Sequence, residues 1–338
     1  MKNVLLMMAV FAISVGCMNS PKVTFKEDPA NRKIDVSIDG SYFTSYIYPT
    51  DVEKPVLYPL MTSSGKTITR GYPLAPRPFE RTDHPHQVGL WFNFGDVNGL
   101  DFWNNSFAIK PEDKPRYGSI RFVKILSAEG NKLVTLSNWV DHEEKVLLEE
   151  VTTFEFGGDV DQRTIVRTAT LTAKQSVVMK GNKEGMLALR MDRAFEEPAT
   201  KPESFTDANG VVTDVPVLNN EGVNGFYRNS LGNTKGDVWG KRANWTSVDG
   251  EIDGDKITVL VCDYKKNPNF PAWSHARGYG LFGTNNMGGK EFDKSFAEEL
   301  SLSINPGESV EFKYLVVIKN NGFLSETDMN KIWDTFNR

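Results

Sequence analysis

Apolar and polar residues alternate along most of the chain in short runs rich in Val, Ile, Thr, Phe and Tyr. Alternation with a period of two places one face of an extended segment in a core and the other towards solvent, as in antiparallel sheets. Gly, Asn, Asp and Pro bound these runs where turns are expected. The clearest runs are KIDVSID, YFTSYIY, SIRFVKIL, KLVTLSNWV, QRTIVRTATLTA, GMLALRM, KITVLVCDY and SVEFKYLVVIK. The pattern predicts an all-β protein built as a large antiparallel β-sandwich.

The C-terminus carries the one clear helical pattern. Ser325 and Asp328 have the spacing of a capping box, in which each side chain bonds the backbone of the other residue. Four apolar residues after the cap fall on one helical face: Met329, Ile332, Trp333 and Phe336. We therefore predict a short C-terminal helix that docks on an edge of the sheet.

The chain divides into three regions. A basic residue and a short apolar run open the sequence; the run is too short for a membrane span of ~20 residues and is typical of a secretory signal. Its Ser-Val-Gly-Cys ending resembles a bacterial lipobox. We predict a lipoprotein-type signal peptide over residues 1–16, lipidation of Cys17 and an N-terminal tether over 17–32, with a plain signal peptide as the alternative. We predict a single β-sandwich domain over residues 33–338, in which 196–236 is a long loop; a linker between two domains is the alternative.

The predicted export, the net charge and the cysteine content limit the location and the partners that this protein can have. The predicted signal places the protein in the bacterial cell envelope, lipid-anchored, periplasmic or on the outer membrane, and in contact with the membrane through its N-terminal lipid only. The net charge is −5, and Lys and Arg form no cluster that could follow a phosphate backbone, so no nucleic acid partner is expected. Cys262 would be the only cysteine of the mature chain, which excludes an intramolecular disulfide. Its apolar surroundings predict a buried, unreactive thiol.

Two of the four histidines flank a proline in RTDHPHQVGLWFNFGDVNGLDFW, residues 81–103. If residues 84–94 run extended, His84 and His86 share the inward face with the apolar residues that follow. Pro85 cannot donate to a sheet ladder, so this pair is expected at the rim of the core, where a cleft can open. Such a pair can chelate a divalent metal when a carboxylate completes the set, or can transfer protons. The structural alternative is that Asp83 and the backbone satisfy both rings.

The turn that follows combines aromatic and hydrogen-bonding side chains. Asp101 stands two residues before Trp103, and Trp91 and Asn98 precede them. A sugar ring presents C–H patches on one face and hydroxyls at its edge, so a flat aromatic ring beside acids and amides suits carbohydrate. We predict substrate binding by these four residues; the alternatives are core packing for the tryptophans and turn stabilisation for Asn98.

A second candidate segment is NPNFPAWSHARGYGLFGTNNMG, residues 267–288. His275 and Arg277 share one face of an extended chain, and Arg277 could bind a carboxylate or polarise an oxygen. Solvation of Arg277 at the surface is the alternative. Further candidates for holding substrate are Arg190, Lys241, Arg242 and Tyr279.

Four segments, in order, resemble a known family: KPVLYPLMTSSGKTITRGYPL, DHPHQVGLWFNFGDVNGLDFW, GKRANW and WSHARGYGLFGTN. They are similar to the bacterial PmoA-like family, also called methane oxygenase PmoA. We regard that name as a misnomer, because no apolar run beyond the predicted signal reaches the ~20 residues of a membrane span. Family members usually have a third histidine after DHPH, where this chain has Gln87, which argues against a tri-histidine metal cluster. The family also resembles the galactose-mutarotase-like sandwiches, which implies a supersandwich-like fold that binds sugars.

The leading hypothesis is a carbohydrate-active enzyme of epimerase, lyase or hydrolase type. His84, His86 and His275 would meet at an open cleft and transfer protons at a sugar carbon. One alternative is a non-catalytic sugar-binding lipoprotein that serves uptake. The other is a metal-dependent enzyme with His84 and His86 as ligands of a divalent metal. Each takes a small-molecule carbohydrate as its partner.

Overall fold

The computed structural model describes residues 21–296 and 299–338. The predicted signal peptide and Cys17 lie outside the described residues. Within the described ranges there are one α-helix, α1 (Glu326–Phe336), and eighteen strands. The strands are β1 (Val23–Asp28), β2 (Lys33–Ile38), β3 (Ser41–Ile47), β4 (Val56–Leu60), β5 (Leu90–Phe94), β6 (Ser119–Glu129), β7 (Lys132–Val140), β8 (Val146–Gly158), β9 (Gln162–Ala173), β10 (Val177–Lys180), β11 (Gly185–Arg190), β12 (Phe226–Asn229), β13 (Trp245–Ile252), β14 (Asp255–Asp263), β15 (Trp273–Arg277), β16 (Leu281–Asn285), β17 (Ser301–Ile304) and β18 (Ser309–Lys319).

Two eight-stranded sheets form the body of the fold. The first has the order β1-β2-β3-β4-β5-β11-β16-β15, and the second has the order β12-β13-β14-β18-β9-β8-β7-β6. A small third sheet pairs β10 with β17. The pairings between these strands are antiparallel. The prediction of an all-β antiparallel sandwich with a short C-terminal helix is confirmed.

Burial differs between the sheets in a way that locates the candidate site. Along β9, buried and half-buried residues alternate over the whole strand, as expected when only one face packs on a core. In β5, β11 and β16 every residue is buried, so both faces of the first sheet are covered there. One large apolar cluster draws side chains from both sheets and lies between them. The other face of the first sheet carries a separate cluster and is covered by loops.

The segment predicted as a tether contributes a strand. β1 lies within residues 17–32 and pairs with β2 from Val23 opposite Ile38 to Asp28 opposite Lys33. Val23 and Phe25 pack against the main core, because they alternate with polar residues that face outwards. The ordered sheet therefore begins ahead of the boundary that the sequence suggested at residue 33.

The C-terminal helix is capped as predicted but docks elsewhere. Ser325 Oγ accepts from the Asp328 N–H at 3.1 Å, and the Asp328 side chain accepts from the Ser325 N–H, which completes the capping box. The apolar face of α1 packs with residues of β13, β14 and β18. Because β14 and β18 are interior strands, the helix covers a face of the second sheet and not its edge. Cys262 lies in this cluster, fully buried, and burial raises the pKa of its thiol, as expected for an unreactive group.

Over the described part of the chain, none of the helices combines the length and the apolar content required to cross a bilayer.

Candidate functional site

The segment with His84 and His86 is a turn and not the beginning of a strand. β5 begins at Leu90, and His84 has a φ of 45°, in the left-handed region. Gly89 also has a positive φ, 58°, and a Cβ at this position would lie 2.3 Å from the Leu57 carbonyl oxygen, so only glycine fits. The prediction of an extended run over 84–94 with both histidines facing inwards is therefore wrong. The chain turns twice before it enters the sheet.

The candidate site lies on the face of the first sheet that points away from the second sheet, which we call the outer face. The strand registers place Trp91, Ala188, Gly283 and His275 opposite one another across β5, β11, β16 and β15, so they share this face. Arg190 stands two residues after Ala188 on β11 and projects to the same side. The outer face thus offers a cation and aromatic rings to the loops above it.

Arg70 fixes the histidine turn to the outer face. Its guanidinium is buried and donates five hydrogen bonds of 2.7–3.2 Å to the 81–87 segment. The acceptors are the carbonyls of Arg81, Asp83, His84 and Gln87 and one carboxylate oxygen of Asp83. Burial, together with the nearby charge of Arg190, lowers the pKa of Arg70 to about 9. One side chain therefore sets the backbone path that carries both histidines.

Asp83 joins this anchor to the first histidine. Its Oδ1 accepts from Arg70 at 2.7 Å and from Arg190 at 2.6 Å, while its Oδ2 lies 2.8 Å from His84 Nδ1. Burial alone would raise the pKa of the Asp83 carboxyl, but the Arg190 charge, the hydrogen bond with His84 and the Arg70 charge hold it far below its usual range. Asp83 is therefore ionised at neutral pH. We call Arg70, Arg190, Asp83 and Gln87 the arginine platform, because Gln87 also accepts from Arg190, at 2.5 Å.

His84 stands on this platform with its ring open to solvent. Its side chain is 42% exposed. The ring stacks on Tyr279 with the planes 1° apart and the centroids 5.2 Å apart, and Arg190 lies over the same tyrosine ring at 4.8 Å. Since Nδ1 faces Asp83, Nε2 is the nitrogen that a ligand can reach. An imidazole oriented by a carboxylate is a suitable general base or acid.

His86 is buried beside a buried lysine. The His86 ring is 5.6 Å from the His84 ring, and its Nε2 finds no hydrogen-bond partner in the part of the chain that the structure describes. Burial and the charge of Lys54 hold the pKa of His86 well below its ordinary value. Lys54 Nζ donates to the His86 carbonyl at 2.7 Å and lies 5.6 Å from the centre of the Trp91 ring. Burial lowers the pKa of Lys54 to about 7.

A pocket with a cavity volume of about 80 Å³ opens above these two residues. Lys54 and His86 line its inner part, with Glu53 beside them. Phe107, which is 61% exposed, stands at the rim, and Ser106 also lines the pocket. The pocket therefore combines a flat apolar ring with hydroxyl, carboxylate, amine and imidazole groups.

The structure does not bring His275 to the other two histidines. Its ring is buried between Trp103, at a centroid distance of 5.4 Å, and Phe292, and its Nδ1 lies 3.2 Å from the Gly185 carbonyl oxygen. Burial lowers the pKa of His275 to about 3. The expectation that it shares a face with Arg277 holds, but the expected meeting of three imidazoles in one cleft is corrected to a pair, His84 and His86.

The predicted sugar-stacking residues have other surroundings. Trp91 and Trp103 are fully buried and contact each other at 5.2 Å, so neither ring offers an exposed face. Asp101 accepts from the backbone of Trp103 and Asn104, as in a local turn, and Asn98 bonds the backbone of the strand that contains Val178. The aromatic and polar combination expected here occurs instead at the pocket rim, around Phe107.

The remaining predicted cations also lie apart from the histidine turn. Arg242 donates to the carbonyls of residues 269–271 and packs over Trp273, which gives it a structural role. Arg277 lies over the Trp239 ring at 4.3 Å, and Lys241 is exposed. Of the predicted binding residues, Arg190 and Tyr279 contact the histidine turn.

No metal cluster is found among residues 21–296 and 299–338. Groups of three or more His, Cys, Asp or Glu side chains arranged to hold an ion do not occur there. His84 and His86 also differ in accessibility, and Asp83, the carboxylate at this turn, is taken up by two arginines. This donor set does not fit the divalent metal considered from the sequence.

The sequence did not predict site roles for Arg70 and Lys54. It predicted Asp83 only as a structural partner of the histidines. Arg70 lies in TITRGYPL and Lys54 in DVEKPVLYPL, where a single cation beside an apolar run has no period that distinguishes it from a surface residue. Asp83 had a local signal, since it directly precedes His84. The contact with Arg190, more than a hundred residues later, had none.

Several solved structures are similar to the chain in fold. A galactose mutarotase related enzyme from Lactobacillus acidophilus is 10% identical, with 89% of this chain and 97% of that chain covered and a TM-score of 0.33. The GalM/aldose epimerase homologue from C. elegans is 8% identical, with 90% and 100% covered and a TM-score of 0.34. An alpha-galactosidase from Geobacillus stearothermophilus is 9% identical, with 88% and 41% covered and a TM-score of 0.40.

Sequence comparison gives the family. No curated protein sequence matches the chain. Neither the family match given next nor the similar structures above support the name PmoA for this chain. A family model described as Family of unknown function (DUF6807) matches residues 33–334, nearly all of the described chain, and the protein therefore belongs to that family.

Proposed function

We propose that the protein is a carbohydrate-active enzyme in which His84 transfers protons at a sugar bound over the outer face. The observation that carries this proposal is the Asp83–His84 pair. A carboxylate fixed by two arginines faces Nδ1, and the ring is open to solvent on its other side. A histidine with only a packing role needs neither an ionised partner nor an exposed ring.

Each residue has a defined part in the proposed proton transfer. Ionised Asp83 favours the tautomer with the proton on Nδ1, which leaves the Nε2 lone pair free to accept a proton from a sugar hydroxyl. As the ring becomes positively charged, Asp83 stabilises it through the same hydrogen bond. Tyr279 and Arg190 hold the ring plane, so the direction of Nε2 is fixed. Such a general acid or base contributes about 10²- to 10⁴-fold to a rate.

The pocket beside His86 supports carbohydrate as the ligand class. The exposed Phe107 ring offers a flat apolar surface for the C–H face of a sugar. Ser106 lines the same pocket, so a hydroxyl group at the sugar edge can find a hydrogen-bond partner there. We propose proton transfer of epimerase, lyase or hydrolase type on a small sugar.

The test compares two matched histidine variants. His84→Ala and His142→Ala remove side chains of nearly equal exposure, 42% and 41%, but His142 lies between β7 and β8 on the second sheet. The purified proteins are incubated with a panel of aldoses and oligosaccharides in D₂O, and products and proton exchange are followed by NMR and mass spectrometry. We expect turnover by the wild type, unchanged turnover by His142→Ala and at least 10²-fold less by His84→Ala. Binding without turnover would favour the sugar-binding alternative, and equal activity of both variants would overturn the role of His84.

We also propose that this activity is exported and anchored by a lipid on Cys17, on the basis of the lipobox-like sequence alone. The Cys17→Ser variant should move from the membrane fraction to the soluble fraction of cells. Continued membrane association of this variant would contradict lipidation at Cys17.

A further inference from the structure

Lys54 is a buried amine at the meeting point of two pockets. Lys54 is 2% exposed, and it lines both the pocket with His86 and Phe107 and a neighbouring one of about 250 Å³ that contains Tyr48 and Phe122. Among the described residues, Lys54 Nζ makes one hydrogen bond, the donation to the His86 carbonyl, so the amine has capacity for further partners.

The carboxylates nearest to Lys54 are engaged by other groups. Glu53 accepts from Lys114, from the Ser119 hydroxyl and from Arg121 at 2.8–3.0 Å. The second carboxylate, Asp101, accepts from backbone N–H groups of its own turn. Within the described chain, no carboxylate forms an ion pair with Lys54, and an unpaired buried ammonium is costly.

Burial and the neighbouring charges determine the protonation state of Lys54. Burial lowers its pKa to about 7, and the partial opposition by Glu53 and Asp101 does not reverse this. The imidazole of His86 is neutral, since burial holds its pKa well below the ordinary value. A large fraction of Lys54 is therefore the free amine at neutral pH, the form that is nucleophilic.

An unpartnered imidazole nitrogen stands beside this amine. His86 is nine-tenths buried, lines the same pocket, and its Nε2 lacks a hydrogen-bond partner among the described residues. A buried polar atom without a partner requires an explanation, and a ligand is one. An amine and a neutral imidazole at one pocket provide a nucleophile and a proton carrier.

We propose that Lys54 is a nucleophile that forms an imine with the carbonyl carbon of an open-chain aldose in this pocket. The Nζ lone pair attacks the carbon, the C–O π electrons move to oxygen, and His86 Nε2 relays a proton from nitrogen to that oxygen. Loss of the oxygen as water, which takes both amine protons, leaves the C=N bond, so neither an oxidant nor a reductant is needed. The inference rests on the proposed function only for the ligand class.

Reductive trapping tests this chemistry without knowledge of the natural sugar. Wild-type protein is treated at pH 7 with glycolaldehyde, the smallest hydroxyaldehyde, and sodium cyanoborohydride, which converts an imine into a stable secondary amine. Peptide mass mapping over time gives the labelling rate of each lysine. We expect Lys54 to be labelled at least about tenfold faster than the other lysines, since one unit of pKa changes the free-amine fraction tenfold.

Variants separate this inference from the proposed function. Lys54→Met should lose the fast-labelled fraction, while Lys66→Met, at a lysine that pairs with Asp253 on the surface, should retain it. His84→Ala should lose sugar turnover and keep fast labelling of Lys54, so each proposal can fail alone. Labelling of Lys54 no faster than that of Lys66 in the folded wild type would overturn the inference, and this result needs no variant to fold.

Discussion

Arg70 and Lys54 are both buried basic residues beneath the histidine turn, yet they differ in the hydrogen bonds that they make. The terminal nitrogens of Arg70 make five hydrogen bonds, one of them to a carboxylate, whereas Lys54 makes one, to a backbone carbonyl. The first arrangement stabilises a backbone path. The arrangement around Lys54 leaves hydrogen-bond donors of a buried amine unused at a pocket. A ligand that supplies the missing partners gains binding affinity there and lies next to a reactive group.

The two histidines repeat this difference. His84 is held by the ionised Asp83 and by Tyr279, and its free nitrogen faces solvent. His86 is buried, and its Nε2 has no hydrogen-bond partner among the described residues. The arginine platform thus positions groups, while the Lys54–His86 region can react with or bind what enters. This division can be tested by removing one group from each region.

The largest change in stability is expected for Asp83→Asn, which removes the carboxylate from the arginine platform. The change leaves the guanidinium groups of Arg70 and Arg190 buried without an ionised partner, so we expect a loss of about 3–5 kcal/mol of unfolding free energy at pH 7. Because the pKa of Asp83 is lowered in the fold, its contribution is present above its ordinary value of 3.8 and declines as pH falls below it. Urea denaturation at pH 7 and pH 3 measures both quantities.

The matched control is Asp253→Asn. Asp253 also pairs with a cation, Lys66, but its side chain is 75% exposed, so the loss should stay below about 1 kcal/mol. Equal losses for the two variants would mean that the platform is no more than a surface ion pair.

A smaller change in the free energy of unfolding, a gain instead of a loss, is expected for Lys54→Met. With a folded pKa of about 7 against an ordinary value of 10.5, wild-type stability rises with pH between these values, because the unfolded chain keeps a proton that the native state lacks. Methionine removes the cost of the buried charge at low pH, so the variant should be more stable by about 2–4 kcal/mol at pH 6. The advantage should vanish by pH 10, where the lost hydrogen bond to His86 remains. Denaturation at several pH values measures this, and a variant destabilised at pH 6 would show that the ammonium is well compensated.

The fold could be predicted from the sequence because the period of two is local. The strands β7, β8 and β9 each show this alternation in their burial, and the capping box of Ser325 and Asp328 spans only one turn. The boundary at residue 33 and the docking of α1 could not be predicted, since both depend on which strand lies next to which in space.

The site was predictable only where its signals are short. The two histidines around Pro85 marked the correct turn, but the alternation rule continued β5 backwards through Gly89, whose φ breaks the extended chain. His275 was expected in the site because it shares a strand face with Arg277, yet it lies in the same row across the sheet as the buried Trp91. Arg190 shows the remaining difficulty, because its contact with Asp83 depends on strand pairing and not on spacing in the sequence.

The smallest effect on stability is expected for His86→Leu, which removes an unmet hydrogen-bonding group and keeps an apolar side chain in its place. An unsatisfied buried nitrogen costs about 1–3 kcal/mol, and repacking by leucine costs a similar amount, so the net change should lie within about 1 kcal/mol. The measurement belongs at pH 8, above the ordinary histidine pKa, where the ring is neutral in both states. Phe92→Leu, in the main core, is the control for shape change alone.

A loss above about 3 kcal/mol for His86→Leu but not for the control would show that Nε2 has a structural partner, and the contrast between platform and pocket would then fail at this residue. A near-neutral change combined with slower labelling of Lys54 would place His86 with the ligand-binding groups, because a residue retained for packing has no reason to affect the reactivity of a neighbouring amine.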